Sequence, residues 1–220
     1  MIITLDGPAG AGKSSTARAL ARRLGWFYMD TGAMYRAVTL VALERTMSLH
    51  DAEGLAALAK SLAIAFRDGR VFVGDRDVST EIRTEQITAA TRSVADAPPV
   101  RDVMKRMQRT IAEGLDVVTE GRDQGSVVFP HAELKVGLTA SPEERARRRH
   151  CEEASRGTVT SLESVLAAQN RRDEGDRVRE VGAMRAADDA VLVETDGLTQ
   201  DDVVERLVQL IEERRRPQSS

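Results

Sequence analysis

The sequence is poor in several residue types that mark whole classes of protein. Its 220 residues include one cysteine, Cys151, so an internal disulfide is excluded and a reducing compartment is favoured. Aromatic residues make up only 3%, which argues against the stacking platforms that bind single-stranded nucleic acid. The net charge is −3, so no broad basic field would attract nucleic acid or an anionic membrane.

Long apolar segments are missing as well. No run approaches the ~20 residues needed to span a bilayer. A glycine-rich motif begins at residue 7, so we expect no signal peptide before it. We therefore expect a cytoplasmic protein without a nucleic-acid or membrane partner, and a monomer. The length and a hydrophobic content of 41% suit one α/β core with a small insertion.

The glycine-rich motif fits G-x-x-x-x-G-K-[ST] at every fixed position. It lies between an apolar strand pattern at Ile2–Leu5 and a helical pattern at 15–24, which is the context of a phosphate-binding loop. Small residues let such a loop turn its backbone N–H groups toward a polyphosphate, and the helix adds its positive N-terminal end. A glycine-rich turn that binds nothing is the alternative. The residues expected to bind the triphosphate here are Gly7, Pro8, Ala9, Gly10, Ala11, Gly12, Lys13, Ser14 and Ser15.

Two side chains of this motif have distinct expected roles. Lys13 can reach the β- and γ-phosphates of the triphosphate. The Ser14 hydroxyl is placed to ligate a phosphate-bound Mg²⁺. The motif thus predicts a nucleoside triphosphate and Mg²⁺ as ligands.

Strand and helix patterns alternate along most of the chain, which predicts a parallel sheet covered by helices on both faces. Five core strands are predicted at 2–5, 26–29, 116–120, 134–138 and 190–194. The segment 64–95 breaks this rhythm with a hairpin around Asp68-Gly69, so it is predicted to be an inserted lobe. The expected divisions are a core at about 1–63, 96–140 and 186–214, the lobe at 64–95, a lid at 141–185 and a disordered tail at 215–220.

Polar residues follow the predicted strands at their carboxyl ends, where open parallel sheets bind ligands. They are Asp30, Thr31, Glu120, Arg122 and Asp123. We expect all of them beside the phosphate loop.

Arginines are frequent after residue 140. Arg145, Arg147 and Arg149 are matched by nearby acids, so a solvated, salt-bridged helix surface is expected for them. Arg148, Arg172 and Arg179 are expected to act on phosphates, because phosphoryl transfer depends on neutralising the transferring group. Several arginines around one loop suggest a donor triphosphate and an acceptor phosphate, each gripped by guanidinium forks.

The motifs, taken together and in order, resemble the bacterial cytidylate kinases from Ile2 to about Leu210. The motifs that carry the resemblance are the phosphate loop, Asp30-Thr31-Gly32-Ala33-Met34-Tyr35-Arg36, Glu81-Ile82-Arg83-Thr84, Val100-Arg101, Glu120-Gly121-Arg122-Asp123-Gln124-Gly125 and Arg172-Asp173-x-x-Asp176-x-x-Arg179. The resemblance implies a P-loop kinase with a monophosphate-binding insert and a helical lid. It also implies transfer of the ATP γ-phosphoryl group to CMP or dCMP with Mg²⁺.

The resemblance implies a role for each matching residue. Arg36, Arg122 and Arg179 would grip the acceptor phosphate or the transferring group. Arg101 and Asp123 would contact the cytosine edge, and Asp176 the sugar hydroxyls, with Thr31 nearby. Asp30 and Glu120 complete the expected CMP site, whose members also include Arg172. Arg148 and Arg172 would belong to the lid side that closes over ATP, with Arg148 binding ATP. The residues expected to act in the transfer itself are Lys13, Arg122, Arg148, Arg172 and Arg179.

Three other functions stay open at this point. The chain could phosphorylate another small acceptor, such as AMP, UMP or shikimate. It could be a P-loop regulatory switch, although a switch would need a partner to complete hydrolysis, whereas this chain carries its own arginines. A nucleic-acid-binding ATPase is disfavoured by the near-neutral charge and few aromatics.

Overall fold

A computed structural model of the protein describes residues 1–155, 160–177 and 186–215, with the backbone alone at residues 172, 176 and 177. The strands are β1 (Ile2–Asp6), β2 (Phe27–Asp30), β3 (Ile64–Arg67), β4 (Arg70–Val73), β5 (Arg76–Asp77), β6 (Val117–Gly121), β7 (Leu134–Thr139) and β8 (Val191–Glu194). The α-helices are α1 (Lys13–Leu24), α2 (Thr31–Glu44), α3 (Ala52–Ser61), α4 (Glu85–Asp96), α5 (Pro98–Ala112), α6 (Pro142–Ser155), α7 (Leu162–Arg177) and α8 (Gln200–Arg215). A 3₁₀ turn covers Glu81–Arg83, and a π-helical turn covers Gln124–Val128.

Five strands form one sheet in the order β2-β6-β1-β7-β8. The strand β1 pairs in parallel with β6 and β7, so that Leu5 lies opposite Glu120 on one side and Val136 on the other. The strand β8 pairs in parallel with β7. The predicted five-stranded parallel sheet with flanking helices is confirmed.

The chain divides into two compact units. The first comprises Met1–Tyr28 and the described residues from Leu115 onward, and the second comprises Met29–Gly114. The core of the first unit is a continuous apolar cluster in which β1 and β7 pack against α1 and α8. Its fully buried members include Ile3, Leu5, Leu20, Leu134 and Leu207. Burial of strand residues on both faces explains why these strands appear in the sequence as short continuous apolar runs.

The second unit contains α2 to α5 and an antiparallel sheet of β3, β4 and β5. Asp68 and Gly69 both have positive φ, 51° and 73°, as the predicted tight hairpin turn requires. The strand β5 was not predicted, because its two exposed residues are too few to show an alternating pattern. The three-part division into core, lobe and lid stays a prediction.

The residues that precede α1 and α2 belong to predicted binding motifs. Gly12 adopts φ +83° immediately before α1, and Asp30 precedes α2 with its carboxylate accepting a hydrogen bond from the Ala33 amide at 2.8 Å. Such a cap satisfies a backbone donor that the first helical turn leaves unpaired. Within the described ranges, no helix combines the length and apolar character needed to cross a bilayer.

Candidate active site

The phosphate loop connects β1 to α1 in the first unit, and glycine is required at its start. Gly7 has φ +147°, and a Cβ atom built on it would lie 2.0 Å from the backbone oxygen of Leu138. No side chain fits there, because the loop runs directly against β7. The glycine spacing of the motif therefore reflects a close backbone approach as well as loop curvature.

Lys13 is buried, although lysine is usually exposed. Its side chain is 6% exposed, and its Nζ donates a hydrogen bond to the carbonyl oxygen of Pro8 at 2.7 Å. The ammonium group is thus folded back over the loop that the motif predicts to hold phosphates. A buried cation at this position is worth more to an anionic ligand than an exposed one, since water screens it less.

Ser14, in the first turn of α1, meets Glu120 near the carboxyl end of β6. The Ser14 hydroxyl donates to a Glu120 carboxylate oxygen at 2.8 Å, and Glu120 is buried. Hydroxyl and carboxylate oxygens are the hard ligands that Mg²⁺ prefers. Among the described residues, no cluster of three or more His, Cys, Asp or Glu could hold a metal by itself. The pair fits the usual Mg²⁺ arrangement, in which one or two protein groups act together with substrate phosphates and water.

Asp6 is a buried carboxylate that the sequence analysis missed. One carboxylate oxygen accepts from the Gln124 amide at 2.8 Å and the other from the Gly125 amide at 2.7 Å. Burial raises the pKa of Asp6 to about 6, and neighbouring Asp123 adds to the rise, whereas the two amide hydrogen bonds and Lys13 oppose it. Asp6 therefore anchors the backbone that follows Arg122 and Asp123. Its position directly before the glycine motif was the only sequence signal.

The raised pKa of Asp6 predicts a specific dependence of the free energy of unfolding on pH. The folded protein keeps the Asp6 proton to about pH 6, whereas the unfolded chain loses it near pH 3.8. Between these values the free energy of unfolding should fall as pH rises, by about 3 kcal/mol at most from this group. Urea unfolding of wild type and Asp6→Asn at pH 4.5 and 7 measures the difference. Parallel pH dependences in the two proteins would contradict it.

Arg122 and Asp123 follow β6 in the first unit, as predicted. Arg122 lines a cavity of about 430 Å³ together with Asp6 and the start of the phosphate loop, Gly7 and Pro8. The volume is within the range of small-ligand sites. Asp123 is buried and lies close enough to Asp6 to raise its pKa. Of the residues expected beside the phosphate loop, Glu120 contacts Ser14, and Arg122 lines a cavity with Gly7 and Pro8. Asp30 and Thr31 belong to the second unit.

The expectation of a solvated surface is wrong for Arg145. Its side chain is 6% exposed and forms an ion pair with Asp173, whose side chain is 8% exposed. The guanidinium also donates to the backbone oxygens of Ala9, at 3.0 Å, and Ala140, at 3.1 Å. The charge balance of the sequence could not reveal this, because the three acceptors are widely separated along the chain.

The neighbouring arginines of α6 differ from Arg145. Arg147 is 62% exposed and pairs with Glu144, so the expected solvated ion pair is seen there. Arg148 contacts the same carboxylate at 2.8 Å and also donates to the Thr195 hydroxyl at 3.0 Å. Hydrogen bonds from Arg147 and then Arg148 lower the pKa of Glu144 to about 2, so this carboxylate stays charged. Arg149 faces Glu153 at 3.6 Å. The role of Arg148 toward ATP stays a prediction.

The second unit holds a separate group of predicted residues around Asp30. The buried Asp30 carboxylate accepts from Arg36 at 3.3 Å and from Arg83, also at 3.3 Å. Arg83 was not assigned a role from the sequence, although it belongs to one of the motifs. Asp30 thus orients two guanidinium groups while it caps α2. Two arginines on one buried carboxylate form an arrangement suited to a phosphate group.

Arg101 and Thr31 also lie in the second unit and are buried. Arg101 donates to the backbone oxygen of Ala95 at 3.1 Å, and its guanidinium lies 5.9 Å from the ring centroid of Tyr35. A buried arginine held by a carbonyl and an aromatic face is rigid, which suits recognition of a polar base edge. The structure describes little of the residues that were predicted for the lid. Arg172 and Asp176 lie on α7 with side chains outside the described residues, and Arg179 lies wholly outside them.

Solved structures with a similar fold support the architecture. One is an uncharacterised protein from Eubacterium ventriosum, with a TM-score of 0.55 at 9% identity, covering 96% of this chain and 98% of the other. Another is TT1252 from Thermus thermophilus, with a TM-score of 0.53 at 22% identity, covering 99% and 98%. At such identities the similarity concerns the fold alone.

Similarity in sequence is much closer. A cytidylate kinase from Rhodopirellula baltica is 52% identical over 213 residues, which cover 97% of this chain and 93% of the relative. A second, from Carboxydothermus hydrogenoformans, is 46% identical and covers 96% of this chain and 97% of the relative. The family model for cytidylate kinase matches residues 3–213. The chain belongs to the cytidylate kinase family.

Proposed function

We propose that the protein transfers the γ-phosphoryl group of ATP to CMP or dCMP, giving ADP and CDP or dCDP. The observation that carries this proposal is the family match over residues 3–213. The buried lysine of the phosphate loop supports the donor half, because it provides a weakly screened positive charge for a triphosphate. The buried carboxylate with two arginines in the second unit supports an anionic acceptor.

The donor site in this proposal is the phosphate loop. The backbone amides from Gly7 to Gly12 and the amino end of α1 would surround the ATP phosphates, with Lys13 reaching the β- and γ-phosphates. Ser14 would hold Mg²⁺ on the phosphates, with Glu120 positioning the hydroxyl or a metal-bound water. The ion would supply charge neutralisation on the triphosphate when bound.

Phosphoryl transfer requires in-line placement and neutralisation of the equatorial oxygens of the transferring group. Lys13 and Arg122 would provide this from the first unit, with Arg148 closing over ATP from α6. Arg172 and Arg179 are the further cations that the family resemblance assigns to this task. The chain thus carries its own arginines and needs no partner protein for turnover.

The acceptor nucleotide would be held through its phosphate, sugar and base. Arg36 would bind the phosphate, oriented by Asp30. Thr31 and Asp176 would contact the sugar. Arg101 and Asp123 would read the cytosine edge, at which a mismatched base would leave buried polar groups unpaired.

Removal of the base contacts should change acceptor preference more than turnover. In Arg101→Ala or Asp123→Ala, kcat/KM for CMP should fall about 10–100-fold relative to that for AMP, because each loses hydrogen bonds from a buried charged group. A coupled spectrophotometric assay of ADP release measures both values. Arg106→Ala, which removes an exposed arginine of the same helix α5, is the matched control and should behave like wild type. Unchanged base preference in both variants would contradict the assignment.

The same assay tests the function as a whole. Purified protein with ATP and Mg²⁺ should release ADP rapidly when CMP or dCMP is added and slowly with UMP, AMP or shikimate. Preference for another acceptor would assign a different kinase activity. ADP release that does not depend on any small acceptor would favour a switch or an ATPase.

We also propose that the enzyme acts in the cytoplasm as a monomer. The single exposed cysteine suits a reducing compartment. Sedimentation at micromolar concentration tests the monomer, and the expected mass is 24.0 kDa.

A further inference from the structure

Arg145 holds one peptide group of the phosphate loop from two sides. Its Nη1 donates to the Ala9 carbonyl at 3.0 Å. The Cβ atom of Arg145 also packs against Gly10. A Cβ atom built on Gly10 would lie 3.1 Å from the Cβ atom of Arg145. The Ala9–Gly10 peptide is therefore fixed both by a hydrogen bond and by packing.

The hydrogen bond that orients the Ala9 carbonyl also orients the Gly10 amide. The peptide group is planar and trans, so the Gly10 N–H points in the direction opposite to the Ala9 carbonyl. In a loop that surrounds phosphates, carbonyl groups must point outward for the amides to point inward. An outward carbonyl in a buried setting needs a donor, and Arg145 supplies it.

The same nitrogen connects the loop to α7. Nη1 of Arg145 donates both to Ala9 and to the Asp173 carboxylate, at 2.5 Å. The second oxygen of Asp173 is buried and has no hydrogen-bond partner in the described structure. Arg145 is thus the cation that compensates a buried carboxylate, and its position is determined by α7 as well as by the loop.

We infer that Arg145 is a positioning residue for the donor triphosphate, which acts by holding the Gly10 amide in its phosphate-binding orientation. This inference rests on the proposed function for the identity of the donor. Asp173 supports the same task through Arg145. An ion pair with only a structural role would affect both nucleotides alike, whereas the carbonyl that Arg145 holds belongs to the phosphate loop of the proposed triphosphate site.

The test is nucleotide binding by calorimetry. In Arg145→Lys the charge is kept, but a single nitrogen cannot replace the fork that serves Ala9, Ala140 and Asp173. The Kd of a non-hydrolysable ATP analogue with Mg²⁺ should rise about tenfold or more, since charge-assisted hydrogen bonds are the strong ones. The Kd of CMP should stay within about twofold of wild type. Arg149→Lys, on the same helix but half-buried and facing Glu153, is the matched control and should change neither value.

A second variant, Asp173→Asn, tests the same inference if Arg145→Lys does not fold. Asp173→Asn keeps the arginine but weakens its anchor, so it should raise the Kd of the ATP analogue in the same direction. The double variant should show less than the sum of the two effects, because both act through one guanidinium group. An unchanged Kd of the ATP analogue in the folded single variants would overturn the inference, as would equal losses for ATP and CMP. A wild-type protein that binds the ATP analogue but does not phosphorylate CMP would refute the proposed function while leaving this binding test intact.

Discussion

Replacing Lys13 by methionine is expected to lower kcat with CMP by about 10²–10³-fold or more, while the protein stays folded. The lysine stem is buried and methionine fills a similar volume, so packing is largely retained. What is lost is a buried cation that we propose contacts the transferring phosphoryl group, and losing one such electrostatic contact typically costs this much. The measurement is the coupled ADP assay at saturating ATP and CMP.

Lys135 provides a matched control for this substitution. It is also a buried lysine whose Nζ donates to the carbonyl oxygen of a proline five residues earlier, Pro130, at 2.6 Å. Its other partner is Asp189 rather than a phosphate loop. Lys135→Met therefore removes a similar hydrogen bond and should lower stability but keep kcat within about threefold. If Lys13→Met retains turnover within tenfold of wild type, Lys13 has no role in the transfer.

Replacing Gly7 by alanine is expected to destabilise the protein by about 4 kcal/mol or more, or to prevent folding. The added Cβ would lie 2.0 Å from the Leu138 backbone oxygen, and neither backbone can move without separating β1 from β7. The positive φ adds a cost of about 1–2 kcal/mol. For a chain of this length the melting temperature should fall by roughly 10 °C, as measured by differential scanning calorimetry.

A substitution at Gly25 measures the cost of the positive φ without the steric clash that is present at Gly7. Gly25 ends α1 with φ +69°, but a Cβ built on it would meet no atom within 4 Å. Gly25→Ala should therefore cost only the backbone term, about 1 kcal/mol. Equal losses of stability in Gly7→Ala and Gly25→Ala would show that the backbone around residue 7 moves easily to accept a Cβ atom.

The phosphate-loop residues could be predicted because their motif is contiguous. Glycines, lysine and serine occur at fixed spacing between a strand and a helix, and this local pattern defines the chemistry. Residues after the strand ends, such as Glu120 and Arg122, could be predicted since parallel strands bring their carboxyl ends to one edge. Arg83 stood within a recognised motif, yet its ion pair with Asp30 crosses 53 positions and has no local signature.

The missed residues share one property, which is that their role depends on burial. Asp6 looks like the polar end of a strand, and only its bonds to amides 118 and 119 residues away make it an anchor. In the sequence Arg145 looks like its neighbours Arg147 and Arg149, since all three stand among acids. Its partners at residues 9, 140 and 173 become adjacent only in the folded chain.

Local residue patterns were enough to predict most of the strands and helices, the phosphate loop and the family resemblance, because periodicity and turn chemistry depend on neighbouring residues. The tertiary structure decided which charges are buried and what they contact. Burial depends on surfaces contributed by distant segments, and it is burial that changes a surface arginine into a fixed donor and an ordinary aspartate into one with a pKa of about 6.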